Sequence, residues 1–180
     1  MRMDYYKQIQ EIAHVDHHDN IICPVEKWEA HRKGILHRAF TITIFHQNQV
    51  FLQHRKHPAF DGYFDLTLSS HQIYKDGTLQ DDLTAVYDCL QRELNIDPDL
   101  ISEPVKKGKV LYHATDPNAD FKEQEIDYLY TCEISQLPQP NYEFAYGYLL
   151  LPLEDIKSGR NHVSKALAPW VTEFFEKGLL

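Results

Sequence analysis

Apolar and polar positions alternate in short runs along the first part of the chain, then switch to a period of three to four. Ala39–Phe45, within "HRAFTITIFHQNQVFLQHR", is β-rich. A polar turn at Gln47-Asn48-Gln49 separates it from Val50–His54, a pattern that predicts a hairpin. "EIAHVDHHDNIICPV" predicts two shorter strands around a polar turn at Asp16-His17-His18-Asp19-Asn20, and "YFDLTLS" alternates as a third strand through Phe64, Leu66 and Leu68. Leu79, Leu83, Val86, Leu90 and Leu94 then recur at three- and four-residue steps. They predict a helix that stops before Asn95, with Pro98 barring its continuation. "KVLYHAT", "EIDYLYTCEI" and "FAYGYLLLP" read as strands, "LEDIKSG" as a short helix stopped by Gly159, and Ala168–Lys177 as a last amphipathic helix. This order predicts a mixed α/β sandwich with helices on both sides of a mixed sheet.

The chain's 180 residues, 43% of them hydrophobic, suit a single domain spanning residues 1–180 with a real core. A net charge of -9 argues against nonspecific binding to nucleic acid or an anionic membrane surface. A small anionic ligand stays compatible with it if cations gather locally. Eleven histidines are unusual, and histidine is the commonest metal ligand and the usual acid–base group near neutral pH. Cys23, Cys89 and Cys132 are scattered with no C-x-x-C pair, which suits a reducing compartment. The stretch "MRMDYYKQIQEIAH" lacks the apolar core of a signal peptide, and "FTITIF" and "YLLLPL" are too short to span a bilayer. The expectation is a soluble, cytoplasmic protein.

Several constellations carry candidate chemistry. His31 and His37 bracket a short loop, "HRKGILH", a pair that also suits two exposed histidines. Glu123 and Glu125 share one face of a predicted strand, and Asp127 follows on it. Neighbouring carboxylates repel unless a cation lies between them or one holds a proton, or they lie on a solvated edge. Glu93 lies roughly 20° around the helix from Val86, so an acid stands on the apolar stripe. It must be paired, metal-bound or free to reach solvent at the helix end. Ser69-Ser70-His71 suits a capping turn, a metal ligand at His71, or a nucleophile with its base. No G-x-S-x-G elbow surrounds the serines, and the spacing favours the turn. Lys27 and Arg55 are cations that could clamp a phosphate or lie solvated.

Together "EKWEAH", "GILHRAFTITIF", "SSHQ", "YHATDP" with "EQEI", and "APW", in this order from about Val15 onward, resemble type I isopentenyl-diphosphate isomerase, a branch of the Nudix superfamily. The resemblance implies a Nudix-type α/β/α sandwich with a mixed β-sheet. It implies one divalent metal held by His31, His37, His71, Glu123 and Glu125. Such a mixed His/carboxylate set suits Mn²⁺ or Mg²⁺, and Zn²⁺ also fits. It further implies a second Mg²⁺, carried with the substrate diphosphate, at Glu93, and diphosphate contacts from Lys27 and Arg55. Tyr112 is implied to assist the acid Glu125, and Trp170 to cover the substrate with a π-face suited to a carbocation-like transition state.

Two departures stand out. Cys89 occupies a helix position where the family carries Arg, and Ser69 occupies the place of a catalytic cysteine. A thiol with a pKa near 8.5 exchanges protons readily at neutral pH, whereas a serine hydroxyl needs activation by a neighbour. The expected function is isomerase-like action on a small prenyl diphosphate, slowed by Ser69, by a monomer or dimer. A diverged Nudix hydrolase is the alternative, although only Glu93 of the Nudix glutamate cluster is present. A non-catalytic ligand-binding homologue is the third reading.

Overall fold

The computed structural model describes residues 5–180; residues 1–4, the start of the stretch considered above as a leader, lie outside the described part. β1 (Glu11–Val15) and β2 (Ile21–Glu26) form the first hairpin around the expected polar turn. Helix α1 (Lys27–Lys33) follows at once. The Glu26 carboxylate caps it by accepting from the Trp28 and Glu29 amides, and Gly34 ends it at φ 64°, a left-handed geometry that glycine adopts without strain. His31 therefore sits on the last turn of a helix rather than at a loop edge. β3 (His37–His46) and β4 (Gln49–Arg55) form the predicted long hairpin.

That hairpin is paired only at its tip, at Phe45/Val50 and His46/Gln49. Beyond the tip the strands diverge, and the expected third strand meets them as two fragments. β5 (Phe64–Asp65) pairs with β4, and β6 (Leu68–Ser70) pairs with β3. Between the fragments the wholly buried Thr67 hydroxyl accepts from the Ile44 amide of β3 (2.9 Å) and donates to the Phe51 carbonyl of β4 (2.7 Å). One side chain thus satisfies backbone groups that the divergence would otherwise strand inside the core.

A small hairpin, β7 (Tyr74–Lys75) with β8 (Thr78–Leu79), holds Leu79, so the helical stripe begins at Leu83 rather than Leu79. Helix α2 (Asp82–Leu94) is capped by Asp81, and Asn95 closes it in the left-handed region at φ 52°. β9 (Val105–Thr115), β10 (Lys122–Glu133), β11 (Ala145–Pro152), α3 (Leu153–Lys157) and α4 (Pro169–Glu176) complete the chain. β10 runs parallel to β3 and antiparallel to β9, so the nine-stranded sheet is mixed. On one face Val86, Cys89, Leu90 and Leu94 of α2 pack against Phe40, Ile42, Tyr130 and Cys132. On the other, Trp170, Val171 and Phe174 of α4 pack against Val50, Leu52, Val110 and Leu129. Each fully buried leucine or valine here contributes about 1.5–3 kcal/mol. Helices therefore cover both faces, giving the expected α/β/α sandwich. No helix among the described residues is long and apolar enough to cross a membrane.

Candidate metal centre

The site is assembled by strand register. Parallel pairing sets Glu125 of β10 opposite His37 of β3, and antiparallel pairing sets Tyr112 of β9 opposite Glu125. Three neighbouring strands thus place His37, Glu125 and Tyr112 in one row. His31 arrives from α1 and His71 from the end of β6. The three imidazole rings lie 4.7–5.2 Å apart, centroid to centroid. Ligand atoms of His31, His37, His71 and Glu125 all fall within 4.8 Å of one another. Glu125 Oε1 lies 3.0 Å from Nε2 of both His37 and His71, and Glu123 Oε2 lies 3.2 Å from His31 Nε2. Glu123 thus joins the group through His31.

The donor set fits a divalent cation. His31 Nδ1 donates to the Lys27 carbonyl and His37 Nδ1 to the Ile35 carbonyl, each at 2.7 Å. These bonds fix the protons on Nδ1 and direct the Nε2 lone pairs at the carboxylates, the orienting arrangement metal-bound histidines use. Lone pair facing lone pair in a buried site calls for a proton or a metal ion between them. Among the described residues, two buried atoms of the group make no hydrogen bond: His71 Nδ1, and Glu123 Oε2, whose contact with His31 is an ion-pair approach only. Burial pushes the His31 imidazole pKa down, but the Glu123 carboxylate outweighs it and the net shift is upward. For His71 burial wins, and its pKa falls well below the ordinary value. Burial would raise Glu125, yet its bonds to His37 and His71 hold it well below the usual carboxylate range.

Around this centre, Tyr112 donates to Glu125 Oε2 at 2.5 Å, and burial followed by the Glu125 charge raises its phenol pKa well above normal. Asp127, next along the same face, is raised well above the carboxylate range by burial and then by Glu125. It accepts from Thr41 Oγ1 (2.8 Å), and Thr41 Oγ1 is in turn hydrogen-bonded to Ser69 Oγ (2.8 Å). Ser69 is therefore anchored to the same carboxylate ladder through one threonine. Period-two spacing places His37 and Thr41 on one face of β3, a relation visible in sequence, although nothing there paired Thr41 with Ser69.

The remaining expected residues divide into two groups. Arg55 is 4% exposed and pairs with Asp65 at 2.9 Å. Asp65 also accepts from Trp170 Nε1 (2.9 Å), and the Arg55 guanidinium lies 4.9 Å from the Trp170 ring. Trp170 itself lies 6.0 Å from the Tyr112 ring. Glu93 does not escape to solvent: it is 7% exposed, pairs with Arg92 at 2.7 Å, and accepts from Gln53 at 3.3 Å. Burial lowers the Lys27 pKa to about 8, with the nearby Arg92 charge adding to the effect. Lys27, Arg55, Ser69, Ser70, Arg92 and Glu93 line one narrow chamber. A wider cavity of about 630 Å³ adjoins it and shares Tyr5, Tyr6, His57, Arg92 and Phe144. His31, His37, His71 and Glu125 line neither. Asp65 and Gln53 were not singled out as site residues by sequence, because each meets a partner distant in the chain, and Arg92 was not, because nothing in the sequence marks it as buried beside the chamber.

A Nitrosomonas europaea Nudix hydrolase superposes with a TM-score of 0.52, over 77% of this chain and 84% of that one, at 10% identity. The Deinococcus radiodurans protein DR0079 superposes with a TM-score of 0.66, over 93% and 98% of the two chains, at 14% identity. The chain has the Nudix fold. No family model matches its sequence. Among curated proteins, human isopentenyl-diphosphate delta-isomerase 2 is 26% identical over 184 residues, covering 92% of this chain and 80% of that protein. On this fold the chain carries a buried group of three histidines and two glutamates.

Proposed function

We propose that the protein is a divalent-metal-dependent isomerase of a small prenyl diphosphate, moving a double bond by proton addition and removal. The observation that carries this reading is the row His37–Glu125–Tyr112, completed by His31, His71 and Glu123. The similarity to a protein named isopentenyl-diphosphate delta-isomerase supports it as well.

A double-bond shift needs one group to deliver a proton to a carbon and another to remove a proton two carbons away. Glu125 takes one role in this reading. The three histidines and two glutamates would hold a divalent ion, which would supply fixed positive charge beside the Glu125 carboxylate. Tyr112 holds Glu125 Oε2 through its short hydrogen bond, which fixes the other oxygen and its lone pairs in place. Ser69 takes the second role. Its hydroxyl is bonded to Thr41 and so is oriented, but a serine hydroxyl is a poor acid and a poor base beside a thiol. The expected turnover is therefore slow. Trp170 and Tyr112 form the apolar, aromatic side of the site, suited to developing positive charge. Lys27 and Arg55 neutralise the diphosphate in this reading, and Glu93 would hold the Mg²⁺ it carries.

Hydrolysis of a diphosphate is the second reading, favoured by the Nudix fold itself. A panel of isopentenyl diphosphate, ADP-ribose and nucleoside diphosphates separates the two. Allylic product without phosphate or pyrophosphate release is the expected outcome. Release without allylic product would replace isomerisation with hydrolysis, and tight binding with neither would make the chain a binding module.

A further inference from the structure

The narrow chamber gathers positive charge in a way that the residues around it do not balance. Lys27 is 4% exposed, and no carboxylate pairs with its ammonium among the described residues. It lies 4.8 Å from the Trp28 ring centroid and 5.6 Å from that of Tyr5. The Arg92 guanidinium also lies against the Tyr5 ring, 4.3 Å from its centroid. One electron-rich ring thus lies against two cations that face the same enclosed space. Arg92 is paired with Glu93 through a single nitrogen, Nη2, which also contacts Cys89 Sγ (3.1 Å) and Ser70 Oγ (3.4 Å). Its buried Nε makes no hydrogen bond among the described residues. Two like charges held in a desolvated chamber repel each other, and an unmade hydrogen bond from a guanidinium adds to that cost. A multivalent anion entering between them removes both penalties.

We propose that Arg92 is a diphosphate-binding residue, forming with Lys27 a two-cation clamp that closes on the anion between α1 and α2. The clamp rests on the reading of the protein as an enzyme of diphosphates, and adds to it a residue and a mechanism of charge balance. Cys89 and Arg92 are three positions apart on α2 and so share a helix face. Arg92 thereby brings a cation to the chamber from the turn after Cys89. Arg92 lines both the chamber, which has room for only about 10 Å³, and the 630 Å³ cavity, so a diphosphate held in the cavity meets Arg92 first and the chamber must widen for it to reach Lys27. The guanidinium fork suits two phosphate oxygens at once, and Glu93, freed from Arg92, becomes available to a Mg²⁺ carried by the anion.

Calorimetric titration of the full chain in Mg²⁺ with inorganic pyrophosphate, and separately with isopentenyl diphosphate, tests this. Arg92→Gln is expected to weaken both anions about 10- to 100-fold. Arg92→Lys, which keeps the charge and loses the fork, is expected to weaken them about threefold or more at an unchanged melting temperature. Loss with isopentenyl diphosphate alone would mean that Arg92 contacts the organic part, and would overturn the clamp. So would affinities within about twofold of wild type in Arg92→Gln, or in Arg92→Lys should Arg92→Gln fail to fold. Wild-type protein that forms allylic product while Arg92 variants bind normally would overturn the clamp and leave the isomerase reading standing. Clamp-dependent pyrophosphate binding without allylic product would do the reverse.

Discussion

Ser69 bonds to Thr41 on the carboxylate side of the sheet, while its neighbour Ser70 meets Arg92 on the α2 side. Alternation along β6 produces that division, and in the proposed isomerisation it leaves Ser69 as the residue on which turnover depends. Ser69→Cys is expected to raise allylic product formation at least about tenfold, within the range one acid–base group supplies. An isotopic assay that found no gain would remove Ser69 from the proton path. Single residues were unevenly legible in sequence. Glu93 stood out because an acid on an apolar stripe must find compensation, and the compensation is Arg92 and Gln53. Arg55 was legible as a cation, but its partner Asp65 lay hidden, since nothing in "YFDLTLS" marks one acid as buried and wholly enclosed. The spacing of Ser69-Ser70-His71 favoured a turn, and His71 instead faces Glu125 across 54 positions of chain.

Among the elements, the long hairpin, the helix α2 and the late strands followed their hydrophobic periods. The break in "YFDLTLS" did not, because alternation is the same whether a segment pairs with one strand or is shared between two. Thr67 is the reason it is shared: its hydroxyl joins β3 to β4 where they part. Thr67→Val keeps the volume and leaves the Ile44 amide and the Phe51 carbonyl unmet. The variant is expected to lose about 1–3 kcal/mol of stability, read by urea denaturation. A loss below about 0.5 kcal/mol would show that the divergence is held by packing alone. The opening bears on the proposed function because both serines of β6 line the narrow chamber.

At the scale of the whole molecule, the candidate centre draws on α1, β3, the end of β6 and β10, with β9 supplying Tyr112. Periodicity placed Glu123 and Glu125 on one face and could say nothing of which histidines would meet them. Only the order of motifs along the chain, through the family resemblance, joined residues so far apart; the parallel register of β10 on β3 then gives that order its physical form. Metal content of the purified chain, measured by mass spectrometry after gel filtration without chelator, tests the centre most directly. The account predicts about one divalent ion per chain. It predicts metal affinity reduced at least about tenfold in His71→Ala and in Glu125→Gln. Metal retained undiminished in both variants would contradict it.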